Sequence, residues 1–180
     1  MSDFRFKPAS RVEQSVFGAQ RPGYPLHSVD RNQVRDWFSF MVARGIRRVC
    51  CLLSQTQLDY YDEDLLSTYS QEFGAENICW APVEDFCLAG VHTLTEKILP
   101  FLLEADIEQE PVIVHCSGGL GRTGHVLAAW LVYGRQFSIE QALSEVSEMS
   151  RNPFEAVEFG NATMEQLHAL LRECRITTTR

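Results

Sequence analysis

The sequence lacks a long apolar run and is short of basic residues. None of its uncharged apolar stretches approaches the roughly 20 residues that a helix needs to cross a bilayer, and the N-terminal MSDFRFKPAS lacks the apolar core of a signal peptide. Lys and Arg number 16 against 24 Asp and Glu, which gives a net charge of -8. Because basic side chains dominate binding to nucleic acid and to anionic membranes, this charge disfavours both as partners. We therefore expect a cytoplasmic protein without a nucleic-acid or membrane partner.

Spacing typical of metal ligands is also missing. The six cysteines include no C-x-x-C pair and no regular spacing, and the histidines outside position 115 are equally scattered. Most of the cysteines lie in apolar stretches, which is typical of reduced, buried thiols. The sequence thus predicts no metal ion and no other cofactor. Cys116 is the exception among the cysteines, because glycines rather than apolar side chains follow it.

Repeats, low-complexity tracts and linker-like segments are absent as well, which favours a single domain over residues 1–180. Short apolar runs at 49–53, 78–83 and 111–114 predict strands. Amphipathic helical patterns alternate with these runs and occupy the whole C-terminal third. The alternation predicts an α/β fold, in which a central, mostly parallel sheet is covered by helices on both faces.

Capping residues and glycines indicate where the helices begin and end. Asp30 is placed to cap a helix that finishes near Gly45, and a second helix is expected over 58–74. A third helix is predicted over 91–105, where Pro100 removes one hydrogen bond and is expected to kink or split it. Two more helices open with the spacing of a capping box: Ser138 with Gln141, and Thr163 with Gln166.

One stretch, VHCSGGLGRTG at 114–124, combines a cysteine and an arginine with four glycines. Three phosphate-binding patterns overlap in it. Its glycines satisfy the dinucleotide fingerprint G-x-G-x-x-G, but the second parallel strand that such a fold requires is not evident after residue 138. The nucleotide P-loop G-x-x-x-x-G-K-[ST] is nearly matched, except that Cys116 replaces its first glycine and Arg122 its lysine.

The third pattern, Cys-x5-Arg, accounts for every residue type in the stretch. Five mostly small residues between Cys116 and Arg122 allow backbone N–H groups to turn inward around an anion. The planar guanidinium of Arg122 suits two oxygens of one phosphate, whereas a lysine supplies a point charge. The same positive field is expected to favour the nucleophilic thiolate form of Cys116. The pattern therefore predicts a phosphate-binding loop that carries its own nucleophile.

The segment His115-Cys116-SGGLG-Arg122-Thr123 resembles the signature H-C-x5-R-[ST] of the cysteine-dependent protein tyrosine phosphatase superfamily. It is most similar to the compact dual-specificity phosphatases of archaeal and bacterial type and of the Cdc14-like group, over about residues 16–171. The resemblance implies that Cys116 is the nucleophile, that His115 orients it, and that the Thr123 hydroxyl bonds the sulfur as it leaves. The phosphate-binding residues that it implies are Ser117, Gly118, Gly119, Leu120, Gly121 and Arg122.

The superfamily also implies a general acid on a separate loop, an aspartate that follows a strand upstream of the signature. Asp85, in the segment WAPVED, matches this aspartate, and Glu84 is the less favoured acid because it stands in place of the usual proline. In this role Asp85 protonates the leaving oxygen in the first step and acts as base on water in the second. A turn or helix-capping aspartate is the alternative interpretation.

Two further segments resemble parts of relatives that lie beside the phosphate loop. Arg151, in RNPFEA, stands where relatives carry an Arg-Pro-Gly segment and is expected to add a second positive charge near the phosphate; a solvated loop arginine is the alternative. The stretch RPGYP at 21–25 is similar to one found beside the active site of prokaryotic relatives, with a simple structural turn as the alternative.

The residues inside the loop and the net charge of the chain limit the substrate class. Uncharged residues inside the loop disfavour inositol lipids, for which relatives commonly carry lysine, and the acidic chain disfavours RNA 5′ ends. The sequence therefore predicts a monomeric protein phosphatase for phosphotyrosine, with phosphoserine and phosphothreonine as further candidates, acting through a phosphocysteine intermediate. A phosphopeptide-binding module without turnover is the main alternative, ahead of an RNA 5′-triphosphatase and a dinucleotide-binding protein. The presence of both Cys116 and Asp85 favours the enzyme.

Overall fold

The computed structural model describes residues 3–176, in which five strands form one sheet. The strands are β1 Lys7–Pro8, β2 Val16–Gln20, β3 Arg48–Cys51, β4 Ile78–Trp80 and β5 Val112–Cys116. Their order in the sheet is β1-β2-β5-β3-β4. The short β1 pairs antiparallel with β2, whereas all other neighbours run parallel. This topology confirms the predicted, mostly parallel sheet.

Eight α-helices accompany the sheet within the described residues. They are α1 Arg31–Ala43, α2 Gln55–Leu58, α3 Leu65–Phe73, α4 Leu99–Ile107, α5 Gly121–Gly134, α6 Ile139–Glu148, α7 Glu155–Glu158 and α8 Met164–Ile176. Buried residues of α1 and α3 pack on one face of the sheet, and those of α4, α5, α6 and α8 pack on the other. The two faces are therefore both covered by helices, as the alternation predicts.

Strand β5 is central, and its alternation decides which side chains meet which helices. Val112 and Val114 belong to the core cluster that contains α5, while Ile113 belongs to the cluster with α1 and α3. The same period-two rule puts Cys116 on the α5 side and His115 on the α1 side, because the two residues are consecutive. The end of β5 therefore delivers the cysteine to the face where helix α5 begins.

The single helix expected over 58–74 is wrong. The structure has the short helix α2, then a loop, then α3, and the loop passes through a β-bridge between Val29 and Tyr61. The Asp64 carboxylate accepts from the amide of Ser67 at 3.0 Å and so caps α3 as a new helix. Tyr61 lies between α2 and α3 in an extended segment that pairs with Val29. Its helical spacing from the apolar residues on either side is therefore a coincidence.

The predicted disturbance at Pro100 takes the form of a widened turn. Residues Thr93–Ile98 are π-helical, and α4 follows directly. Proline has no N–H, and its ring crowds the carbonyl one turn earlier, so a looser i to i+5 pattern before Pro100 relieves the clash. The hydrogen-bond pattern changes before Pro100, but the helical segment is continuous. The two predicted capping boxes, at Ser138 and Thr163, are both formed.

The N-terminal strands β1 and β2 were not predicted from the sequence. Strand β2 contains Gly18, and a glycine weakens a strand pattern. In the fold, a Cβ at this position would meet side chains of Leu127 and Thr123 at 2.9 Å and Arg151 at 3.0 Å. Gly18 is thus required by the close approach of α5 and of Arg151, which are distant in sequence.

In the part of the chain that the structure covers, no helix has both the length and the apolar character needed to cross a membrane.

Four parallel strands end at one edge of the sheet, and the segments that follow them lie together there. These are the turn 21–25 after β2, the segment 54–57 after β3, the loop 84–90 after β4 and the loop 117–120 after β5. Crevices at the carboxyl ends of parallel strands are the usual ligand sites of open α/β sheets. The fold therefore gathers the predicted site residues at this edge.

Candidate active site

The loop of residues 117–120 joins the end of β5 to the start of α5, and its carbonyl groups are bound from outside. Three consecutive carbonyls, those of Ser117, Gly118 and Gly119, accept respectively from the Arg21 amide at 3.0 Å, Arg5 Nη1 at 2.8 Å and Arg151 Nη1. A backbone whose carbonyls all face outward turns its amide groups toward the inside of the loop. Three arginines thus hold the conformation that an anion cradle needs.

The amide groups of this loop are available to a ligand. Within residues 3–176, no backbone carbonyl accepts from the amides of 118–122. Gly119 has φ +71, and a Cβ there would collide with the backbone of Ala19 and Gln20, so only glycine fits. Free amides at the N-terminus of helix α5 are suited to binding a phosphate-sized anion.

The sulfur of Cys116 lies at the base of this loop, and the residue as a whole is 3% exposed. The Thr123 hydroxyl donates a hydrogen bond to Sγ at 3.2 Å, the contact that the resemblance implies. The neighbouring His115 is fully buried beside Trp37, and its Nε2 lies 3.0 Å from the hydroxyl of Tyr69. Burial lowers the pKa of His115 to about 4, so the imidazole is neutral near pH 7. It supports the end of β5 from the opposite face.

Arg122 is 1% exposed and is held by fixed acceptors. Nη1 donates to Gln57 Oε1 at 2.7 Å and to the Val83 carbonyl at 3.0 Å, and Nη2 lies 2.8 Å from Oδ1 of Asp85. Its Nε is buried without a hydrogen-bond partner among the described residues. A buried, unpaired donor on a charged group is costly, which points to an acceptor supplied by a ligand.

Asp85 follows β4 on the loop 84–90 and reaches the same cleft. Its carboxylate pairs with Arg122 and also accepts from Gln57 Nε2 at 3.1 Å. The next residue, Phe86, has φ +58, and its ring stacks on Phe159 with 4.2 Å between centroids. Nearby Glu84 is exposed and does not line the cleft. Of the two candidate acids, the structure therefore brings Asp85 rather than Glu84 to the cysteine.

His125 fastens this loop to helix α5, although its spacing in sequence carries no signal. Its Nε2 accepts from the Ala89 amide at 3.0 Å, and Nδ1 lies 3.2 Å from the carbonyl of Gly121. This pattern requires the neutral tautomer with the proton on Nδ1. Burial lowers the pKa of His125 to about 4, which is consistent with that neutral form. The imidazole thereby ties the Asp85 loop to the first residue of α5.

The cleft above the cysteine has a volume of about 120 Å³. Cys116, Arg122 and Asp85 line it together with the loop residues Ser117, Gly118 and Leu120 and the first residue of α5, Gly121. Three more side chains complete its walls: Tyr24, Phe86 and Glu155. Tyr24 belongs to the turn 21–25, so this segment lies beside the site rather than forming a remote turn. The cleft is polar at its base and aromatic at its rim.

Arg151, the predicted second positive charge, lies behind the phosphate loop and not in the cleft itself. It is buried beneath the loop, where Nη2 donates to the carbonyls of Gly18 at 2.6 Å and Arg5 at 2.7 Å, besides the bond to Gly119. It does not line the cleft of Cys116. Burial lowers the pKa of Arg151 to about 10, which still leaves it charged at neutral pH. It supports the loop from behind and is not a solvated arginine.

Gln57 is a site residue that the sequence analysis missed. Its side-chain oxygen accepts from Arg122 and its amide nitrogen donates to Asp85, so one side chain holds both groups. It is 5% exposed and is oriented by a capping box in which the Ser54 amide bonds Oε1 at 3.4 Å. The spacing Ser54-x-x-Gln57 marks a helix start in the sequence, but nothing local connects that helix to the signature.

We predict that Gln57→Leu lowers kcat for p-nitrophenyl phosphate by about 10- to 100-fold, since each lost hydrogen bond to a charged group is worth about 1.5–3 kcal/mol. Gln55→Leu on the same helix is the matched control, because Gln55 is exposed. Steady-state rates of both variants and the wild type decide the matter. Equal kcat in wild type and Gln57→Leu would contradict a role in positioning Arg122 and Asp85.

No group of three or more His, Cys, Asp or Glu residues within 3–176 is arranged to hold a metal ion.

Comparison with known proteins identifies a family for this chain. A protein-family model matches residues 26–136, more than half of the chain, and its family is described as "Tc-R-P: Polymorphic toxin system, DSP-PTPase phosphatase". The match includes the Asp85 loop and the whole of the Cys116 loop, but neither the turn 21–25 nor Arg151.

Curated relatives are more distant. The chain is 28% identical over 121 residues to the uncharacterized protein MJ0215 of Methanocaldococcus jannaschii, which covers 66% of this chain and 63% of that protein. It is 27% identical over 79 residues to the dual specificity protein phosphatase OPG106 of vaccinia virus (strain Western Reserve), covering 44% of this chain and 46% of that protein. The chain thus spans less than two thirds of the length of either relative.

Solved structures agree with the family over nearly the whole chain. The structure of Tk-PTP in its active form is similar, with a TM-score of 0.65 and 27% identity, and the match covers 94% of this chain and 97% of that one. The fold, the geometry of the loop and the family model all indicate the same superfamily. The chain therefore belongs to the DSP-PTPase family, a dual-specificity branch of the cysteine-dependent protein tyrosine phosphatase superfamily.

Proposed function

We propose that this protein is a cysteine-dependent phosphatase that hydrolyses phosphotyrosine in proteins, and phosphoserine or phosphothreonine more slowly, through a phosphocysteine intermediate. One observation carries the proposal: Cys116 Sγ lies at the base of a loop with free amides, in one cleft with Arg122 and Asp85. A nucleophile, a phosphate clamp and a proton donor are the three parts that such a reaction needs. A binding module has no use for the nucleophile or the acid.

In the first step, the Cys116 thiolate attacks phosphorus in line with the leaving oxygen. The S–P bond forms as the P–O bond breaks, and Asp85 transfers its proton to the departing phenolate or alkoxide. The loop amides and the guanidinium of Arg122 stabilise the equatorial oxygens. The unpaired Nε of Arg122 supports this role, because a phosphate oxygen would satisfy it. Phosphate binding also draws Nη2 away from Asp85 and releases that carboxyl for proton transfer.

In the second step, water attacks the phosphocysteine and Asp85 acts as base. The P–S bond breaks, the electron pair returns to sulfur, and inorganic phosphate leaves. The Thr123 hydroxyl, 3.2 Å from Sγ, supports this step because it stabilises the thiolate as it forms. His115 is neutral and has a supporting role in holding the end of β5.

The preference for phosphotyrosine rests on the rim of the cleft. Tyr24 and Phe86 belong to different segments and both line the cleft that holds Cys116. Aromatic walls suit a flat phenyl ring and gain about 0.5–1.5 kcal/mol per aromatic pair beyond simple burial. The short side chains of phosphoserine and phosphothreonine place peptide backbone, rather than a ring, between these walls. We therefore propose phosphotyrosine as the better substrate.

The test is hydrolysis, in EDTA and reductant, of two peptides of identical sequence that carry phosphotyrosine or phosphothreonine. We expect activity on both without a metal ion, with kcat/KM about 10-fold higher for phosphotyrosine because of the aromatic rim. Phosphate release measures the rates. Binding of the phosphopeptides without any hydrolysis would make the protein a binding module instead, and activity lost in EDTA would overturn the mechanism.

We also propose one catalytic domain over residues 1–180, supported by a single sheet that begins with β1 near one end of the described range and is covered by helices that include α8 at the other. Residues 1–2 and 177–180 lie outside the part of the chain that the structure describes. The monomeric state, the cytoplasmic location and the lack of nucleic-acid, membrane and cofactor partners stay predictions of the sequence.

A further inference from the structure

His125 lies near the start of α5 and is 1% exposed. The four residues that follow it in the helix are apolar and fully buried. A polar ring in such surroundings is costly unless its nitrogens are hydrogen-bonded. Both nitrogens of His125 are bonded, Nε2 to the amide of Ala89 and Nδ1 to the carbonyl of Gly121. These two bonds, rather than burial, account for a histidine at this position.

Helix α5 holds the backbone of the Asp85 loop on both sides of the aspartate. Before it, the Val83 carbonyl accepts from Nη1 of Arg122 at 3.0 Å. After it, the Ala89 amide donates to Nε2 of His125, also at 3.0 Å. Asp85 lies exposed between these two bonds, so its position depends on them. The helix that carries the phosphate-clamping arginine thus also carries two partners that fix the loop of the acid.

The two partners differ once substrate is bound. Arg122 pairs with the Asp85 carboxylate, and in the proposed mechanism the phosphate draws this guanidinium away. His125 does not line the cleft of Cys116, so phosphate leaves its bond to Ala89 intact. A general acid must lie within hydrogen-bond reach of the oxygen that it protonates. The imidazole therefore still holds the loop at the moment when Asp85 is released to act as acid.

We propose that His125 is a positioning residue for general acid catalysis: it holds the Asp85 loop against the start of α5, so that the carboxyl of Asp85 reaches the leaving oxygen. This inference rests on the proposed phosphatase function. His125 transfers no proton and touches no substrate, so the reaction keeps the balance given above. The other partner of the imidazole, Gly121, immediately precedes Arg122. One side chain thereby ties the acid to the residues that bind the phosphate.

The test compares kcat/KM, which reports the first step, for two aryl phosphates that differ in their need for an acid. p-Nitrophenolate departs without protonation, whereas the phenolate of phenyl phosphate is a poor leaving group. His125→Leu fills the space but forms neither bond. We expect it to lower kcat/KM about 100-fold for phenyl phosphate, as for a misplaced catalytic group, and less than about threefold for p-nitrophenyl phosphate. His125→Gln is expected within about threefold of wild type on both, because its side-chain oxygen replaces Nε2 as acceptor for the Ala89 amide.

A double variant separates positioning from a general loss of structure. Adding His125→Leu to Asp85→Asn is expected to change kcat/KM for phenyl phosphate by less than about twofold, because the acid that His125 positions is already absent. The inhibition constant of inorganic phosphate is expected within about twofold of wild type in His125→Leu, since the loop amides and Arg122 are unchanged. His125→Asn, which is too short to reach Ala89 but still polar, repeats the measurements if the leucine variant does not fold.

His92→Leu is the matched control, because His92 lies just past the same loop with its side chain 86% exposed. We expect it to stay within about twofold of wild type on both substrates. Equal losses of His125→Leu on the two substrates, no loss on phenyl phosphate, a glutamine variant as slow as the leucine variant, or additive losses with Asp85→Asn would overturn the role of His125. A wild type that releases phosphate from neither substrate would instead overturn the phosphatase function, and this inference with it.

Discussion

Replacing Cys116 by serine is expected to reduce hydrolysis of p-nitrophenyl phosphate by about 10,000-fold or more, a loss typical of removing an enzyme's nucleophile. A serine hydroxyl stays protonated at neutral pH, and the adjacent His115 does not serve as its base because it faces Tyr69 and the core. The phosphate cradle itself survives, because it is built from loop amides and Arg122. Initial rates and calorimetric titration with inorganic phosphate measure the two properties separately.

Cys87→Ser is the matched control for this substitution. Cys87 lies only two residues past Asp85, but it lines a separate groove against α8 and not the cleft of Cys116. We expect its activity to stay within about twofold of wild type, as for a substitution away from the reacting atoms. A Cys116→Ser rate close to that of the wild type, or an equal loss in Cys87→Ser, would contradict the assignment of the nucleophile. The Cys87→Ser variant also tests whether the thiol on the Asp85 loop is required for activity.

Replacing Asp85 by asparagine is expected to lower kcat by about 100- to 1,000-fold on phosphotyrosine peptide, in the range that general acid catalysis supplies. Asparagine keeps the shape and the hydrogen bond to Gln57, but it has no acidic proton to give. The loss on p-nitrophenyl phosphate is expected to be much smaller, because p-nitrophenolate departs without protonation. The ratio of the two losses, measured as kcat on each substrate, is therefore the informative quantity.

Glu84→Gln is the control, since Glu84 is the other carboxylate that the sequence offers at this position. Its side chain is exposed and outside the cleft, so the variant is expected to match the wild type on both substrates. A large loss in Glu84→Gln with none in Asp85→Asn would transfer the acid role to Glu84. Equal losses of Asp85→Asn on both substrates would indicate that Asp85 acts on the loop or on Arg122 rather than on the leaving group.

The sequence alone was enough for the parts of this protein that depend on neighbours along the chain. The Cys-x5-Arg loop contains the nucleophile, the amides and the guanidinium in seven consecutive residues, so its parts are recognisable locally, and Thr123 lies one residue beyond. Capping boxes and helical spacing likewise act within four residues, which is why the helical C-terminal third agrees with expectation. The buried runs at 49–53, 78–83 and 111–114 were sufficient to predict a parallel sheet.

Only the tertiary structure decided which distant groups join that loop. Gln57, Glu155 and Arg5 come from segments separated by tens of residues from Cys116, and each meets the site through packing that no local pattern encodes. Parallel strands account for Gln57, because they bring their carboxyl ends to one edge whatever the length of chain between them. Arg5 and Glu155 do not follow a parallel strand, and they reach the site through the packing of the N-terminal segment and of α7. The close approach of α5 and Arg151 also explains why β2 contains Gly18. This glycine weakened the strand pattern, and β2 was therefore not predicted. Local spacing specified the reacting loop, sheet topology supplied its acid and Gln57, and the packing of other distant segments supplied the arginines that support it.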